Sequence, residues 1–256
     1  MKKGYALITG ATSGIGFAIS EILIGQGYPV LLTGRNVEKL EEFKRRFPNS
    51  NIDTIAVDLN KAEGINDLKE YIDKHNIYIE ILINNAGAGY NGEFLDIPLK
   101  KHKEIINVNV TAFTEILYLA LENMVKNGGG KVLNVASSGA YQPGPTIAVY
   151  YATKAYVLSL SSALREEYRD RNISISTLCP GATKTNFSKR AGKGDLVNAV
   201  SPEFVAKKAI NGLLRGQAII KPGMVNRLLI NITKIMPATL NAKVVKKIQK
   251  RAANKI

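Results

Sequence analysis

The chain has little of several things. It contains one cysteine, Cys179, and two histidines, and from Ala206 to its end it has no acidic residue. One cysteine excludes an intramolecular disulfide and suits a reducing compartment, so a cytoplasmic setting is expected. In such a setting, triplets such as Asn109-Val110-Thr111 carry no glycosylation meaning. His75 and His102 are far apart in sequence, with no cysteine pair near either, so a metal site is not expected. No stretch approaches the roughly 18 apolar residues of a membrane span. The first apolar run is broken by Thr9, Gly10 and Thr12, which makes it a first strand and not a signal peptide. The missing acids have a further consequence. Residues 206–256 carry 12 Lys and Arg, which leaves 23 of the 35 basic residues to face all 21 acidic ones. The body is nearly neutral and the net charge of +14 sits in the C-terminal quarter. Charge of this kind concerns partners, not fold. No recognisable nucleic-acid module accompanies it, so nucleic acid is not an expected partner.

What the chain does have is alternation. Its 256 residues are enough for one large α/β domain. Tyr5 to Thr9 reads as a strand, Gly10-Ala11-Thr12-Ser13-Gly14-Ile15-Gly16 as a glycine-rich turn, and Phe17 to Gln26 as a helix. That order makes a phosphate-binding unit: glycines admit the pyrophosphate to the backbone and the helix N-terminus favours the anion. A second strand, Tyr28 to Thr33, ends in Gly34-Arg35. Where an acidic residue would hold a ribose 2′-hydroxyl, about 20 residues after the loop, stands Gly34. Arg35 can pair with a 2′-phosphate and stack on adenine, so NADP (NADPH) is the expected cofactor over NAD. The alternative for Arg35 is a solvated surface position.

A helix (Val37 to Phe47) leads to the strand Ile52 to Val57, closed by Asp58-Leu59. Asp58 is placed either to accept from the adenine amino group or to cap a helix starting near Lys61. The strand Tyr78 to Ile83 ends in Asn84-Asn85-Ala86-Gly87, small and amide residues along which a cofactor can lie. Asn84 is expected to tie neighbouring strands together. Ala88 to Pro98 should line a substrate cleft. A long helix, Lys101 to Lys126, carries Asn109 in an apolar stripe, where its amide must find partners. A strand from Lys131 to Ala136 leads to Ser137, and Tyr150 and Lys154 are four residues apart, on one helical face. An ammonium beside a phenol lowers the phenol's pKa, and a hydroxyl can hold the oxygen that gains the proton. After a helix (Tyr151 to Arg171) and a strand (Ile173 to Leu178), Pro180-Gly181 turns the chain. Thr183 and Thr185 then supply hydroxyls that can cradle an amide and a phosphate. Ser188 to Ala199 reads as a flap, and Ser201-Pro202 as a helix start. A short strand, Ala218 to Ile220, ends the sheet.

Taken together these residues resemble the short-chain dehydrogenase/reductase family from about Gly4 to Ile220. Thr9 to Gly16 is similar to its cofactor loop, Asn84 to Gly87 to its NNAG motif, and Pro180-Gly181 with Thr185 to its nicotinamide-side turn. Asn109, Ser137, Tyr150 and Lys154 are similar to its catalytic tetrad. Ser137 and not Ser138 is taken because Tyr150 follows it by the family's spacing; Tyr150 and not Tyr151 because it stands four before Lys154. The resemblance implies a Rossmann-type, doubly wound parallel sheet. Residues 1–221 would form the nucleotide-binding catalytic part, and 222–256 a helical extension of the same domain. It implies hydride transfer between NADP(H) and a carbonyl or alcohol, with the branch of carbonyl, 3-oxoacyl and hydroxysteroid reductases most similar. Tyr150 would be the general acid, Ser137 would hold the oxygen, Lys154 the ribose, and Asn109 a water. A homodimer or homotetramer is implied as well. The competing readings are a non-catalytic NADP-binding sensor and a peripheral-membrane acyl reductase. The latter comes from the tail, where Leu228, Leu229, Ile232, Ile235 and Met236 fall on one helical face ahead of a lysine-rich stretch. The favoured reading of that tail is a lid or subunit contact, its apolar face buried against protein.

Overall fold

The structure, a computed structural model, describes residues 3–187 and 199–253. The expected flap, 188–199, lies outside the described residues except for Ala199. Seven parallel strands form one sheet in the order β3-β2-β1-β4-β5-β6-β7. They are β1 (Tyr5–Thr9), β2 (Val30–Gly34), β3 (Ile52–Ala56), β4 (Ile79–Asn84), β5 (Gly130–Val135), β6 (Ile173–Leu178) and β7 (Ile219–Ile220). Strands covered on both faces can be apolar throughout, and the buried centres of β1, β2, β4 and β5 are. Leu7, Leu31, Leu82 and Val132 face one core layer. Ala6, Ile8, Val30, Leu32, Ile81, Ile83, Leu133 and Val135 face the other.

The helices fill those layers. Against the first face pack α3 (Ala62–Lys74), α5 (Phe113–Lys126) and α6 (Ala148–Glu167), through Leu68, Phe113, Ile116 and Val157. Against the second pack α1 (Gly14–Gly25), α2 (Val37–Arg46) and α7 (Pro202–Leu214), through Ile19, Leu40, Phe43 and Leu213. Ser201 caps α7 by accepting from Phe204 N at 3.2 Å, with Pro202 at its first position.

Several boundaries differ from the sequence reading. Helix α1 begins at Gly14, three residues early, because the glycine turn feeds directly into it. Helix α6 stops at Glu167 and a 3₁₀ turn, Arg169–Arg171, finishes the span read as one helix. The long helix after the cleft loop is not uniform: α4 (Leu99–Ile106) and α5 are joined by a π-helical segment, Asn107–Ala112. That span, Leu99–Lys126, is also long and apolar enough to cross a membrane by length and composition, contrary to the sequence expectation. Its apolar residues are those a core helix needs: Ile105, Phe113, Ile116, Leu117, Ala120 and Met124 are all buried against the protein.

Candidate active site

In an open parallel sheet, ligands bind beyond the strands' carboxyl ends where the strand order reverses. Here that point lies between β1 and β4, and a cleft of about 740 Å³ opens there. The glycine turn folds over it. Gly10 and Gly14 have φ of +67° and +58°, the left-handed region where a side chain is strained. A Cβ on Gly14 would stand 2.9 Å from Thr185 Cγ2, so the β1 loop meets the loop after β6 there. Ser13 occupies the N-cap of α1 with extended backbone, yet its side chain makes no capping bond. Among the described residues no side chain caps the first N–H groups of α1 at the cleft wall, the arrangement that receives a phosphate.

The β4 loop is bolted to this turn. Asn85 Nδ2 donates to Thr9 O (2.9 Å) and Gly10 O (3.3 Å), while the N–H groups of Asn85 and Ala86 donate to Thr9 Oγ1, each at 3.0 Å. Asn84 Nδ2 donates to Phe113 O at 2.9 Å, and Asn84 Oδ1 accepts from Thr9 Oγ1 at 3.5 Å. Asn84 thus ties β4 both to its neighbouring strand and to α5. At the end of β2 a Cβ on Gly34 would lie 2.7 Å from Thr12 Cγ2. A side chain at that position would have to displace the Thr12 methyl, and the next residue, Arg35, stands exposed at the cleft margin. Asp58 lines the cleft too. Its Oδ1 accepts from Asn60 N at 3.1 Å, a local turn, while Lys61 is the N-cap residue of α3. The helix-cap alternative for Asp58 is thereby corrected.

Of the residues singled out from sequence, Gly10, Thr12, Ser13, Gly14, Ile15, Arg35, Asp58, Leu59, Asn85, Ala86 and Gly87 line this one cleft. So do Ser137, Tyr150, Lys154, Pro180, Gly181, Thr183 and Thr185. Gly16 and Asn109 do not. A Cβ on Gly16 would lie 2.5 Å from Gly10 O, so this glycine serves the packing of helix on turn. Asn109 is buried in the π segment and its amide is engaged. Oδ1 accepts from Ala88 N at 2.8 Å, and Nδ2 donates to Ala88 O (2.9 Å) and Thr153 Oγ1 (3.0 Å). A Cβ on Gly87 would lie 3.4 Å from Asn109 Oδ1 and 3.6 Å from Lys154 Nζ, so Gly87 runs beside both.

Tyr150, Ser137 and Lys154 meet at the inner end. Burial pushes the Tyr150 phenol well above its ordinary pKa, and a hydrogen bond with Ser137 opposes that rise. Lys154 Nζ donates to Val135 O at 2.7 Å and lies 5.7 Å from the Tyr150 ring centroid. Burial lowers Lys154 to about 8. The expected depression of the phenol by the ammonium is not what this site shows: burial is the largest influence on both groups, raising Tyr150 and lowering Lys154.

Several residues that shape the site, Leu229 of the tail's apolar face apart, carry no sequence signal. Phe187 packs its ring 5.3 Å from that of Tyr150 and lines the cleft. The extension forms α8 (Met224–Ile235) and α9 (Ala238–Ala253), and Leu229, Ile248 and Gln249 from them reach the cleft. Gln249 Nε2 donates to Tyr151 Oη at 3.3 Å, so the neighbour of Tyr150 anchors the last helix. Asn226 Nδ2 donates to Cys179 O (3.0 Å) and Pro222 O (3.1 Å), pinning the Pro180-Gly181 turn from outside.

Comparison with known proteins agrees with this fold. Residues 4–195 match the short chain dehydrogenase family. The mouse very-long-chain 3-oxoacyl-CoA reductase is 31% identical over 261 residues, spanning 98% of this chain and 81% of that one. An uncharacterized oxidoreductase of Bacillus subtilis is 33% identical over 201 residues, 77% of this chain and 73% of that one. A short-chain dehydrogenase from Sphingobium yanoikuyae, solved in complex with NADPH, superposes with a TM-score of 0.81 at 26% identity, covering 91% and 96% of the two chains. The protein belongs to the short-chain dehydrogenase family, whose oxidoreductases bind a nicotinamide cofactor and act on small molecules.

Proposed function

We propose that the protein reduces a carbonyl compound, or oxidises the corresponding alcohol, with NADP(H), and that Tyr150 is its general acid. The observation that supports this best is the buried Tyr150, with Ser137 and Lys154 lining the same cleft and Lys154 Nζ 5.7 Å from the Tyr150 ring centroid. The glycine cradle, the uncapped start of α1 and the cleft volume fit a dinucleotide. Gly10 and Thr12 to Ile15 would hold its pyrophosphate, and Arg35 its 2′-phosphate. Asp58 and Leu59 would hold the adenine, Asn85 to Gly87 the backbone-facing ribose, and Pro180, Gly181, Thr183 and Thr185 the nicotinamide end. When bound, the nicotinamide supplies or takes the hydride.

The remaining steps belong to this chain's own groups. Ser137 Oγ holds the substrate oxygen, and Tyr150 Oη gives it a proton. Lys154 keeps ammonium hydrogens beyond the one given to Val135 O, and these would hold the ribose hydroxyls of a bound nucleotide. Asn109 fixes the wall through Ala88 and Thr153, with its remaining lone pair free to accept from a water. The cleft's outer part is apolar at Phe187, Leu229 and Ile248, which suits acyl chains. The similarity to a 3-oxoacyl-CoA reductase makes 3-oxoacyl thioesters the first substrate class to try.

The test is NADPH oxidation across ketones and 3-oxoacyl thioesters, with Tyr150→Phe and Tyr151→Phe beside the natural chain. Tyr150→Phe is expected to bind NADPH but to lose turnover by about 10²–10⁴-fold, the scale of general acid catalysis. Tyr151→Phe is expected to retain the chemistry. A Tyr150→Phe enzyme with ordinary turnover would sink the assignment.

A further inference from the structure

Helix α8 wears its apolar face on the outside. Met224, Val225, Leu228, Leu229, Ile232 and Ile235 are exposed over 43% to 89% of their surface, and Ile230 is the helix's one buried residue. At 100° per residue those six fall within an arc of about 140°, a stripe as wide as a core-facing helix would bury. Helix α9 repeats the pattern more narrowly, with Leu240, Val244 and Ile248 exposed at four-residue spacing beside exposed Lys243 and Lys247. Leu229 and Ile248 both line the mouth of the cleft, so the two stripes converge there. An apolar surface of this extent on a water-soluble chain marks an interaction site. Within one chain only Leu229 and Ile248 of these residues reach the cleft as a lid would, and the rest of the face stays exposed.

Charge decides what covers it. From Ala206 onward there are 12 basic residues and no acidic one, and Arg227, Lys234, Lys243, Lys246 and Lys247 are exposed around the stripes. A second copy of the chain would bring the same uncompensated charge face to face, which opposes association. We propose that α8 and α9 dock on an anionic lipid surface, apolar stripes in the acyl boundary and lysines among the headgroups, with the cleft mouth facing the bilayer. Interfacial helices combine an apolar face with a Lys/Arg-rich polar one in this way. The proposal does not depend on which carbonyl compound the site reduces.

Co-sedimentation of the full chain tests it, using phosphatidylcholine vesicles with and without phosphatidylserine, at low and high salt. Two variants accompany it: Lys243→Gln/Lys246→Gln/Lys247→Gln, and Val225→Ser/Leu228→Ser/Ile235→Ser. All six side chains are exposed, so unchanged melting curves are expected for both. Binding should require phosphatidylserine and fade at high salt. The lysine variant should weaken it on the order of 100-fold, from the contribution of each basic residue near an anionic surface. The serine variant should lose it as well. Failure to sediment would overturn the proposal, as would sedimentation indifferent to both variants. So would ultracentrifugation showing that the serine variant merely turns an oligomer into monomers without vesicle binding.

Discussion

At the scale of single residues the site is governed by dehydration. Tyr150 and Lys154 are neighbours whose charges would attract, yet burial drives the phenol up and the ammonium down. A ligand that brings polar groups to Lys154 changes that balance more than any surface substitution can. Selection of the nucleotide rests on a different kind of contact. A side chain at Gly34 would press on Thr12, so on the proposed reading discrimination at the β2 end would fall to Arg35, exposed at the cleft margin. Arg35→Ala is expected to remove about 1.5–3 kcal/mol from NADPH binding, the scale of a charged hydrogen bond, and to leave NADH binding almost unchanged. Titration of both cofactors checks this; equal losses would make Arg35 structural.

At the scale of elements, the site is assembled by loops that hold one another. Thr9 bolts the β4 loop, Asn109 bolts the loop after it to α6, and Asn226 bolts the turn after β6 to α8. The π segment belongs to this arrangement: it adds a residue to a turn of the long helix where Asn109 meets Ala88 and Thr153. Such insertions are often found at functional sites. Asn226→Ala leaves Cys179 O without its side-chain donor, and an unsatisfied carbonyl costs about 1–3 kcal/mol. The expected outcome is a loss of that size in urea unfolding, together with weaker NADPH binding because the Pro180-Gly181 turn loosens. Lost stability with unaltered cofactor binding would show that the turn holds its shape without α8.

At the scale of the whole molecule, the buried titratable groups set how stability varies with pH. Lys154 titrates at about 8 in the folded chain and near 10.5 unfolded. Between those values the unfolded chain binds more protons, so stability rises with pH. The rise amounts to about 1 kcal/mol from pH 8 to 9. Cys179 acts in the opposite sense, since burial raises it from 9.0 to about 11; its loss begins as the unfolded thiol ionises and offsets about a third of that gain by pH 9. Urea unfolding at pH 7, 8 and 9 should therefore show the natural chain gaining stability and Lys154→Met showing no such gain. A natural chain whose stability is flat over this range would mean that Lys154 keeps its charge when buried.

The sequence by itself determined the order of strands and helices, the glycine turn and the family's chemistry. Those depend on local rules: apolar runs for strands buried on both faces, glycine where φ must be positive, Ser-Pro at a helix start, a four-residue step from Tyr150 to Lys154. Tertiary structure decided what depends on distance through space. It closed Gly34 against Thr12, withdrew Gly16 and Asn109 behind the cleft wall, and brought Phe187, Asn226 and Gln249 to a site their neighbours in sequence do not announce. It also reversed the expected shift of Tyr150, because burial is a property of the packed chain and a four-residue spacing says nothing of it. The tail shows the same division. Periodicity marks one apolar face on α8, but only the packing of Ile230 inward shows that this face looks out.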